Sequence, residues 1–493
     1  MIAFLAAVSC NVEQVNNKII PLNEGLPSIN DPSVIGSFPD QPFLFTVPTT
    51  GESPISWKAE NLLSGLEIEA TSGIISGVPK ATGDYQVKIT AENKLGKTEK
   101  IIELKIGDQL ALTPPMGWNS WNPLGANVNE KAVMETADAM VSSGLSDVGF
   151  DYVVIDGTWE GGRDSITGLL YPDPIRFPSG IKALADYIHS KGLKFGIYSD
   201  AGNLTCDSLP GSFGYEEKDA RLFAEWGVDY LKYDYCYCTD FVSSNNDYKM
   251  AIARYKAMGD ALKSTGRPIV YSICEWGPRS PWLWGKEVGG HLWRSTYDVH
   301  DIWDTPNNKI SPIGVLAAID GEVDLERFSG PGAWNDPDML IVGLKNKGYI
   351  KGGGCTDVQY QTQMSMWCML SAPLMLGCDI RNMDETTRKI LLNKDIIAID
   401  QDPLGQQAIR VYRKDGIEVW NKPLTGNRVA IAFLNRNSSG NSITSEFEDI
   451  ELDMETQYKV YDVWNHEELS GTKGSVSVRL EGSECKVFIL SVL

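Results

Sequence analysis

The sequence predicts three folded domains: a (β/α)8 barrel of the TIM type, preceded by a β-sandwich and followed by an antiparallel β-sandwich. Three observations predict this arrangement. The chain has 493 residues, whereas one barrel needs about 250 residues. Segments typical of strands and of helices alternate between Thr113 and Asp400, as an α/β barrel requires. Runs with a period of two, typical of half-buried strands, occur before and after that region.

Residues 1–27 are interpreted as an export signal and a linker. The run Met1–Cys10 is apolar, ends at a small residue and a cysteine, and is followed by polar residues. It resembles a lipoprotein signal in which Cys10 becomes the lipidated residue. An ordinary cleaved secretory peptide and the tail of a truncated leader are the alternatives. We therefore expect an exported protein, periplasmic or anchored to the outer membrane of a bacterium, that contacts a membrane only through its lipid.

Residues 28–107 are predicted to form a separate β-sandwich. Short alternating runs such as Phe43–Val47 and Tyr85–Ala91 are separated by turn signals such as Thr71-Ser-Gly73, a spacing typical of sandwiches. The region resembles an immunoglobulin-like module that often precedes bacterial glycosidase domains. It carries no catalytic set, and we expect a spacer rather than a carbohydrate-binding role.

Residues 108–405 are predicted to form the barrel, because eight strand-like runs alternate with helical ones. Asn129 gives the predicted helix Glu130–Ser143 a capping start, and Gly144 ends it. The predicted strands are Met116–Trp121, Tyr152–Asp156, Lys194–Ser199, Tyr230–Asp234, Ile269–Cys274, Leu292–Ser295, a short strand near Trp334, and Pro373–Cys378.

Residues 406–493 shift to period-two runs, such as Ile417–Trp420, Val429–Leu434 and Cys485–Leu490. Alternation of this kind is typical of an antiparallel sheet with one buried face. We therefore predict a C-terminal antiparallel β-sandwich.

Two predicted barrel strands end in carboxylates. Asp234 follows the buried run of the fourth strand, with Lys232 on the same face, and Asp298 follows the sixth. Glu275 ends the strand between them. The C-terminal ends of barrel strands carry catalytic residues, and two carboxylates are the minimum for glycoside hydrolysis. Indole faces suited to stacking on a pyranose are available at five strand ends: Trp118, Trp121, Trp159, Trp276 and Trp293.

Several separate motifs, in order along the chain, resemble glycoside hydrolase family 27, the α-galactosidase group. The resemblance runs from Thr113 to about Gln406, and the region after it resembles that family's second domain. The motifs are Pro115–Trp121, Gly196–Cys206, Lys232–Cys236, Cys274–Trp276, Trp293–Asp298, Pro331–Leu340 and Asp400–Gly405. The resemblance implies a retaining exo-glycosidase that removes terminal α-linked galactose.

The resemblance also implies a role for each matching residue. Asp234 is implied to be the nucleophile and Asp298 the general acid and base. The other implied roles are hydroxyl binding by Lys232, Glu275 and Arg294, a sugar-facing surface from Trp121 and Tyr198, a pocket wall from Asp338 and Met339, and a disulfide between Cys206 and Cys236.

Each catalytic role has a physical requirement. Asp234 must be ionised to attack, and we expect the Lys232 ammonium to lower its pKa. Asp298 must hold a proton and later accept one from water. Retention of configuration requires the two carboxyl groups to lie roughly 5 to 5.5 Å apart. Asp301 is a competitor for the acid role, ranked lower because the family spacing leads to Asp298.

One position departs from the family pattern. Where the family has two adjacent aspartates that contact the 4- and 6-hydroxyls of galactose, this chain has Asp156 followed by Gly157. The missing carboxylate puts discrimination near the far side of the sugar ring in doubt. The pocket could accept a pentose such as a β-L-arabinopyranoside or a differently substituted sugar, or Glu160 or Asp164 could reach in. Glu275 favours a 2-hydroxyl over a 2-acetamido group.

Composition excludes some classes of partner. The net charge of −21 argues against nucleic acids, since phosphate binding needs clustered Lys and Arg. The four histidines lack metal-ligand spacing and the nine cysteines form no paired Cys-x-x-Cys sets, so we expect neither a metal nor a cofactor. A carbohydrate is the expected partner. A non-catalytic sugar-binding lipoprotein and a structural surface protein are the alternatives from other classes, and the sequence makes no prediction of oligomeric state.

Overall fold

The computed structural model describes residues 22–238, 245–305 and 311–493. Cys10 and the predicted signal lie outside these residues. Within the described ranges, none of the helices combines the length and the apolar character that crossing a membrane requires. The described chain forms the two β domains and the barrel that the sequence predicts.

The N-terminal domain is a sandwich of two main sheets with strand orders β2-β9-β8-β5 and β3-β7-β6. Its inward side chains, such as Ile75, Val87, Ile89 and Leu104, are fully buried, because alternate residues of a strand point to one face. Its strands are β1 (Ser28–Ile29), β2 (Val34–Ser37), β3 (Phe43–Thr46), β4 (Thr49–Thr50), β5 (Ser56–Glu60), β6 (Leu66–Ile68), β7 (Ile74–Gly77), β8 (Gly83–Asn93) and β9 (Gly96–Ile106).

The barrel contains eight parallel strands in the order β18-β17-β16-β15-β14-β11-β10-β19. A parallel bridge between Leu340 and Leu376 joins the segment after β18 to β19 and closes the ring. A hairpin of β12 and β13 follows β11. The strands are β10 (Met116–Asn119), β11 (Tyr152–Val154), β12 (Glu160–Arg163), β13 (Leu170–Pro172), β14 (Lys194–Asp200), β15 (Tyr230–Asp234), β16 (Val270–Ile273), β17 (Leu292–Arg294), β18 (Trp334–Asp336) and β19 (Leu374–Leu376).

Helices lie between the barrel strands. The predicted cap is confirmed, since the Ala132 amide donates to Asn129 Oδ1 at 3.0 Å. The first predicted strand is too long, because Ser120 already turns into the first helix. The helices are α1 (Trp121–Leu124), α2 (Glu130–Ser142), α3 (Ile181–Ser190), α4 (Glu216–Trp226), α5 (Asn245–Thr265), α6 (Val315–Gly321), α7 (Asp357–Met369), α8 (Glu385–Leu391) and α9 (Lys394–Asp400).

The C-terminal domain packs a six-stranded sheet, β20-β21-β22-β27-β24-β25, against the pair β23-β26. Its adjacent strands are antiparallel, and its core includes the buried Val419, Ile431 and Phe433. The strands are β20 (Ile409–Lys414), β21 (Ile417–Leu424), β22 (Arg428–Asn435), β23 (Asn441–Glu446), β24 (Gln457–Asp462), β25 (Glu467–Lys473), β26 (Ser475–Leu480) and β27 (Cys485–Val492).

The N-terminal domain contacts the barrel at the end where the barrel strands begin. Thr46 donates its hydroxyl to the Gly192 carbonyl at 2.7 Å, just before β14, and the Asn30 amide donates to the Asp147 carbonyl at 2.7 Å, just before β11. The opposite, C-terminal side carries the acids predicted to be catalytic. This domain therefore lies away from the candidate site.

Candidate active site

Asp234 ends β15, directly beside Asp200 at the end of β14. Its carboxylate is almost fully buried and accepts two hydrogen bonds: Tyr198 donates its hydroxyl to Oδ2 at 3.1 Å, and the Tyr235 amide donates to Oδ1 at 3.1 Å. Both donors favour the ionised form and fix the direction of the lone pairs. The strand thus presents one oriented carboxylate at the C-terminal edge of the barrel.

Lys232 lowers the pKa of Asp234, as expected, but the net shift of that pKa is upward. Burial raises the pKa of Asp234 to about 7, because desolvation outweighs the opposing effect of the Lys232 ammonium. The charges of Asp298 and Asp156 raise it further. Asp234 and Asp298 lie at or beyond the C-terminal ends of barrel strands, β15 and β17.

Lys232 pairs with Asp156 rather than with Asp234. Its Nζ lies 2.7 Å from Asp156 Oδ2, which also accepts the Asn119 side-chain amide at 2.8 Å. Burial alone would lower the pKa of Lys232, but Asp156 and the neighbouring acids outweigh it and raise that pKa. The pair brings a cation and an acid from β15 and the end of β11 to the same edge as Asp234.

Cys206 and Cys236 form a disulfide, as the resemblance implies. Asp200 anchors the loops on both sides, accepting the Gly202 amide at 2.6 Å and the Cys236 amide at 2.9 Å. Four potential metal-ligand atoms, on Asp200, Cys206, Asp234 and Cys236, lie within 4.8 Å of one another. Because the two sulfurs are bonded to each other they are poor ligands, and we assign no metal there.

Arg294, at the end of β17, forms ion pairs with two carboxylates. Its Nη2 lies 3.1 Å from Asp298 Oδ1 and its Nη1 lies 2.9 Å from Asp338 Oδ1. The side chain of Asp298 is 44% exposed, whereas Asp338 is buried. Asp298 is thus the acid that a substrate can reach, supported by a guanidinium on one side.

Asp338 follows β18 with a left-handed backbone, φ 86°. Such a conformation is unfavourable for a non-glycine residue and is found where the surroundings enforce it. Here Asp338 Oδ2 accepts the Val299 amide at 2.7 Å, which ties the end of β18 to the segment after Asp298. Met339 packs inside the barrel in a cluster that Trp121 contacts.

Residues 113–402 match the family model described as Alpha galactosidase A, which is more than half of the chain. The chain belongs to this family. Residues 414–490 match the model of the alpha-galactosidase C-terminal β-sandwich domain, and residues 26–107 match an immunoglobulin-domain model. The chain is therefore a glycoside hydrolase with the barrel and C-terminal domain of this family.

Individual relatives agree with this membership. An α-galactosidase of Cyamopsis tetragonoloba is 46% identical over 78% of this chain and 87% of its own. The solved structure of a candidate α-galactosidase from Bacteroides fragilis is 46% identical, has a TM-score of 0.91, and covers 96% of this chain and 99% of its own. A solved β-L-arabinopyranosidase from Geobacillus stearothermophilus is 28% identical, with a TM-score of 0.65, and covers 77% of this chain and 97% of its own.

Three of the five tryptophans predicted to stack on sugar belong to the core of this alpha-galactosidase-family barrel instead. Trp118, Trp159 and Trp293 are fully buried. Each donates its indole N–H within the protein, to the Cys378 carbonyl, the Tyr198 carbonyl and the Asn335 side chain respectively. Of the five, Trp121 and Trp276 are partly exposed.

Glu275 is not placed as a direct hydroxyl ligand. It is 0% exposed, and its carboxylate pairs with Arg279 Nη1 at 3.0 Å and accepts the Arg279 amide at 3.2 Å. Burial raises the pKa of Glu275 to about 7 even with this partner. Sequence reasoning missed Arg279, because residues 275–279 form a turn and not a helix, so a spacing of four residues does not predict a pair there.

Asp301 is excluded as the catalytic acid by its contacts. It is fully buried and accepts the Asn346 amide at 2.6 Å, the Cys355 amide at 2.8 Å and the Tyr360 hydroxyl at 2.9 Å. A carboxylate enclosed by so many donors has no free edge for a leaving group. Its role is to tie the 346–355 loop to α7.

Of the two side chains that could compensate for Gly157, Asp164 does not do so. Asp164 is exposed and accepts the Ile166 and Thr167 amides at 3.0 and 2.7 Å in the turn between β12 and β13. Glu160 is almost completely buried, and burial together with the charges of Asp156 and Asp207 raises its pKa to about 8. The space beside Gly157 is occupied from another part of the chain, as described below.

Proposed function

We propose that this chain is a retaining exo-α-galactosidase that removes terminal α-linked galactose from oligo- or polysaccharides. The proposal rests on one observation: an oriented, buried carboxylate on Asp234 and a partly exposed carboxylate on Asp298 lie at the C-terminal edge of the same family barrel. Two carboxylates with unequal environments are what double displacement at an anomeric carbon requires.

In the first step an oxygen of Asp234 bonds to the anomeric carbon while the glycosidic C–O bond breaks. Asp298 gives its proton to the departing oxygen. In the second step the Asp298 carboxylate takes a proton from water, the water oxygen bonds to the anomeric carbon, and the bond to Asp234 breaks. Two inversions at the same carbon return the original configuration.

The surrounding residues position the sugar and the reacting groups. Tyr198 aligns Asp234, and Lys232 with Asp156 offers a donor and an acceptor to ring hydroxyls beside it. Arg294 supports Asp298 through a charge-assisted hydrogen bond. The half-exposed indole of Trp121, packed edge-on against Tyr349 with ring centres 5.2 Å apart, provides an apolar face for the pyranose.

A panel of nitrophenyl glycosides tests this function. We expect turnover of the α-galactoside, little turnover of the α-N-acetylgalactosaminide and α-glucoside, and loss of turnover in Asp234→Ala. Asp260→Ala is the matched control, because Asp260 is exposed on α5 and pairs with Lys256 away from the site. Proton NMR of the first-formed sugar is expected to show the α anomer. Full turnover in Asp234→Ala, or a β anomer formed first, contradicts the proposal.

A second specificity, β-L-arabinopyranoside hydrolysis, is favoured by one observation: Gly157 supplies no side chain beside Asp156. The β-L-arabinopyranoside ring matches the α-galactoside ring without its hydroxymethyl arm, and a relative of this fold is a β-L-arabinopyranosidase. Adding nitrophenyl β-L-arabinopyranoside to the panel decides between the two sugars by the ratio of their kcat/KM values.

We also propose that the protein is exported and lipidated at Cys10. The apolar run that ends at Cys10 supports this, as does the Cys206–Cys236 disulfide, since disulfides persist in oxidising compartments. Fractionation of cells that express the wild type and Cys10→Ala tests it. We expect the wild type in the membrane fraction and the variant released from it. Equal distribution of both proteins contradicts lipidation.

A further inference from the structure

The space beside Gly157 contains a carboxylate from a different loop. A Cβ atom placed on Gly157 would lie 3.1 Å from Asp207 Oδ2 and 3.5 Å from a ring carbon of Tyr198. The backbone of Gly157 is outside the left-handed region, so nothing in its conformation demands glycine. Asp207 Oδ2 therefore lies next to the point where a side chain at position 157 would begin.

Asp207 is held in this position by its neighbours in the chain. It follows Cys206, whose disulfide to Cys236 fixes the loop beside the nucleophile strand. The turn around it is closed by two backbone hydrogen bonds, from the Thr205 amide to the Leu209 carbonyl at 2.7 Å and from the Ser208 amide to the Thr205 carbonyl at 2.8 Å. The backbone that carries Asp207 is thus fixed beside the strand of Asp234.

Asp207 and Asp156 share an environment. Partial burial raises the pKa of Asp207, the charge of Asp156 raises it further, and Arg176 opposes them. Asp156 is buried and already bonded to Lys232 and Asn119, whereas Asp207 is exposed. The two acids form a pair with one member deep in the site and the other at its rim.

We propose that Asp207 is a specificity-determining residue that binds the hydroxymethyl end of the glycone, in place of a side chain at position 157. This rests on the proposed function. The deep acid, fixed by Lys232, lies beside the ring hydroxyls near the nucleophile. The exposed acid at the rim meets the part of the sugar that projects from the ring. A carboxylate accepts a hydrogen bond from a hydroxymethyl group, and a pentose has no such group to offer.

Kinetics on two aryl glycosides test this role. Asp207→Ala is expected to lower kcat/KM for the α-galactoside by about 10- to 100-fold, the range for losing a hydrogen bond to a charged group. It should change the β-L-arabinopyranoside value by less than about threefold. Asp260→Ala serves as the matched surface control. An equal loss on both substrates, or no loss on either, overturns the proposal.

Moving the carboxylate back to position 157 gives a second, gain-of-function test. Gly157→Asp combined with Asp207→Ala should recover most of the lost galactoside activity, because one carboxylate is restored to the same space. Gly157→Asp alone should be less active than the double variant, since two carboxylates then crowd one another. A double variant no better than Asp207→Ala overturns the proposal, provided that its Tm shows it to be folded.

Binding distinguishes failure of this inference from failure of the proposed function. Calorimetry with D-galactose and L-arabinose measures the preference for the hydroxymethyl group without any turnover. We expect wild-type protein to prefer galactose and Asp207→Ala to lose that preference. If wild-type protein hydrolyses neither aryl glycoside but shows this shift, the catalytic proposal fails and the role of Asp207 stands. If wild-type protein shows no preference, the role of Asp207 fails.

Discussion

Arg294 contacts Asp298 at 3.1 Å with one terminal nitrogen and Asp338 at 2.9 Å with the other. The planar guanidinium therefore connects the proposed acid to a buried acid from the next strand. Because Asp338 also accepts the Val299 amide, the segment that carries Asp298 is tied at two points. The position of the proposed proton donor thus depends on an interaction that a single ammonium could not reproduce.

Arg294→Lys is expected to lower kcat for the aryl galactoside by about 10- to 100-fold, since lysine can satisfy only one of the two carboxylates. The measurement is steady-state kinetics, paired with thermal unfolding to confirm that the variant is folded. Arg279→Lys is the comparison variant, because Arg279 pairs with the buried Glu275 instead. Unchanged kcat in Arg294→Lys contradicts the positioning role.

On the acid limb of its pH profile, kcat/KM should begin to fall at a pH of about 7, which is higher than the pKa of an ordinary aspartate. Burial raises the pKa of Asp234 to about 7, and below it the carboxyl group holds a proton and cannot attack, so activity falls as the pH falls. Tyr198→Phe removes a donor to the ionised form and should move the limb to still higher pH. A limb at the pKa of an ordinary aspartate, unmoved in Tyr198→Phe, contradicts this assignment.

Asp298→Asn and Asp301→Asn should separate catalysis from stability. Asp298→Asn is expected to lower turnover of a substrate with a poor leaving group by about 100- to 10,000-fold, the usual contribution of general acid–base catalysis. In Asp301→Asn, an amide NH2 group faces donors whose hydrogen bonds the Asp301 carboxylate accepts in the wild type. We expect this to lower the free energy of unfolding by about 2–4 kcal/mol while leaving kcat at low temperature unchanged. Kinetics and urea unfolding measure the two effects, and the reverse pattern would show that the acid is Asp301.

His291 should make the protein less stable in acid. Burial lowers the pKa of His291 to about 4, and its Nδ1 accepts the Tyr271 amide at 3.0 Å. The unfolded chain takes up a proton near pH 6.5 while the folded chain does not, so stability is lost as the pH falls from about 6.5 towards 4. Urea unfolding at pH 7.5 and 5 should show a smaller decrease in His291→Asn than in wild type. Equal decreases contradict this role for His291.

The fold was largely predictable because buried strands have strong local signals. The sequence predicts the strand Tyr230–Asp234 with its observed bounds, since an apolar run there ends at a charged residue and a turn. The sequence predicts less well which side chains of a strand point into the core and which point towards the substrate. Trp118 and Trp293 lie on strands whose both sides are buried, so alternation could not separate core indoles from sugar-facing ones.

The site was predictable where a motif is local and not where loops meet. Lys232 and Asp234 lie within one strand, and their proximity follows from the sequence. The meeting of Asp207 with Gly157 joins loops fifty residues apart, and their approach depends on the disulfide and on strand order. Neither the pairing of Glu275 with Arg279 nor the net effect of burial on Asp234 can be read from residue types alone.

Trapping the covalent intermediate tests the central claim most directly. A fluorinated galactosyl fluoride, which slows hydrolysis of the glycosyl-enzyme, is incubated with the wild-type protein, and the digested protein is mapped by tandem mass spectrometry. We predict one added glycosyl group on the peptide that contains Asp234, carried by that carboxylate. A glycosyl group on another residue, or turnover to the inverted sugar without any adduct, contradicts the account.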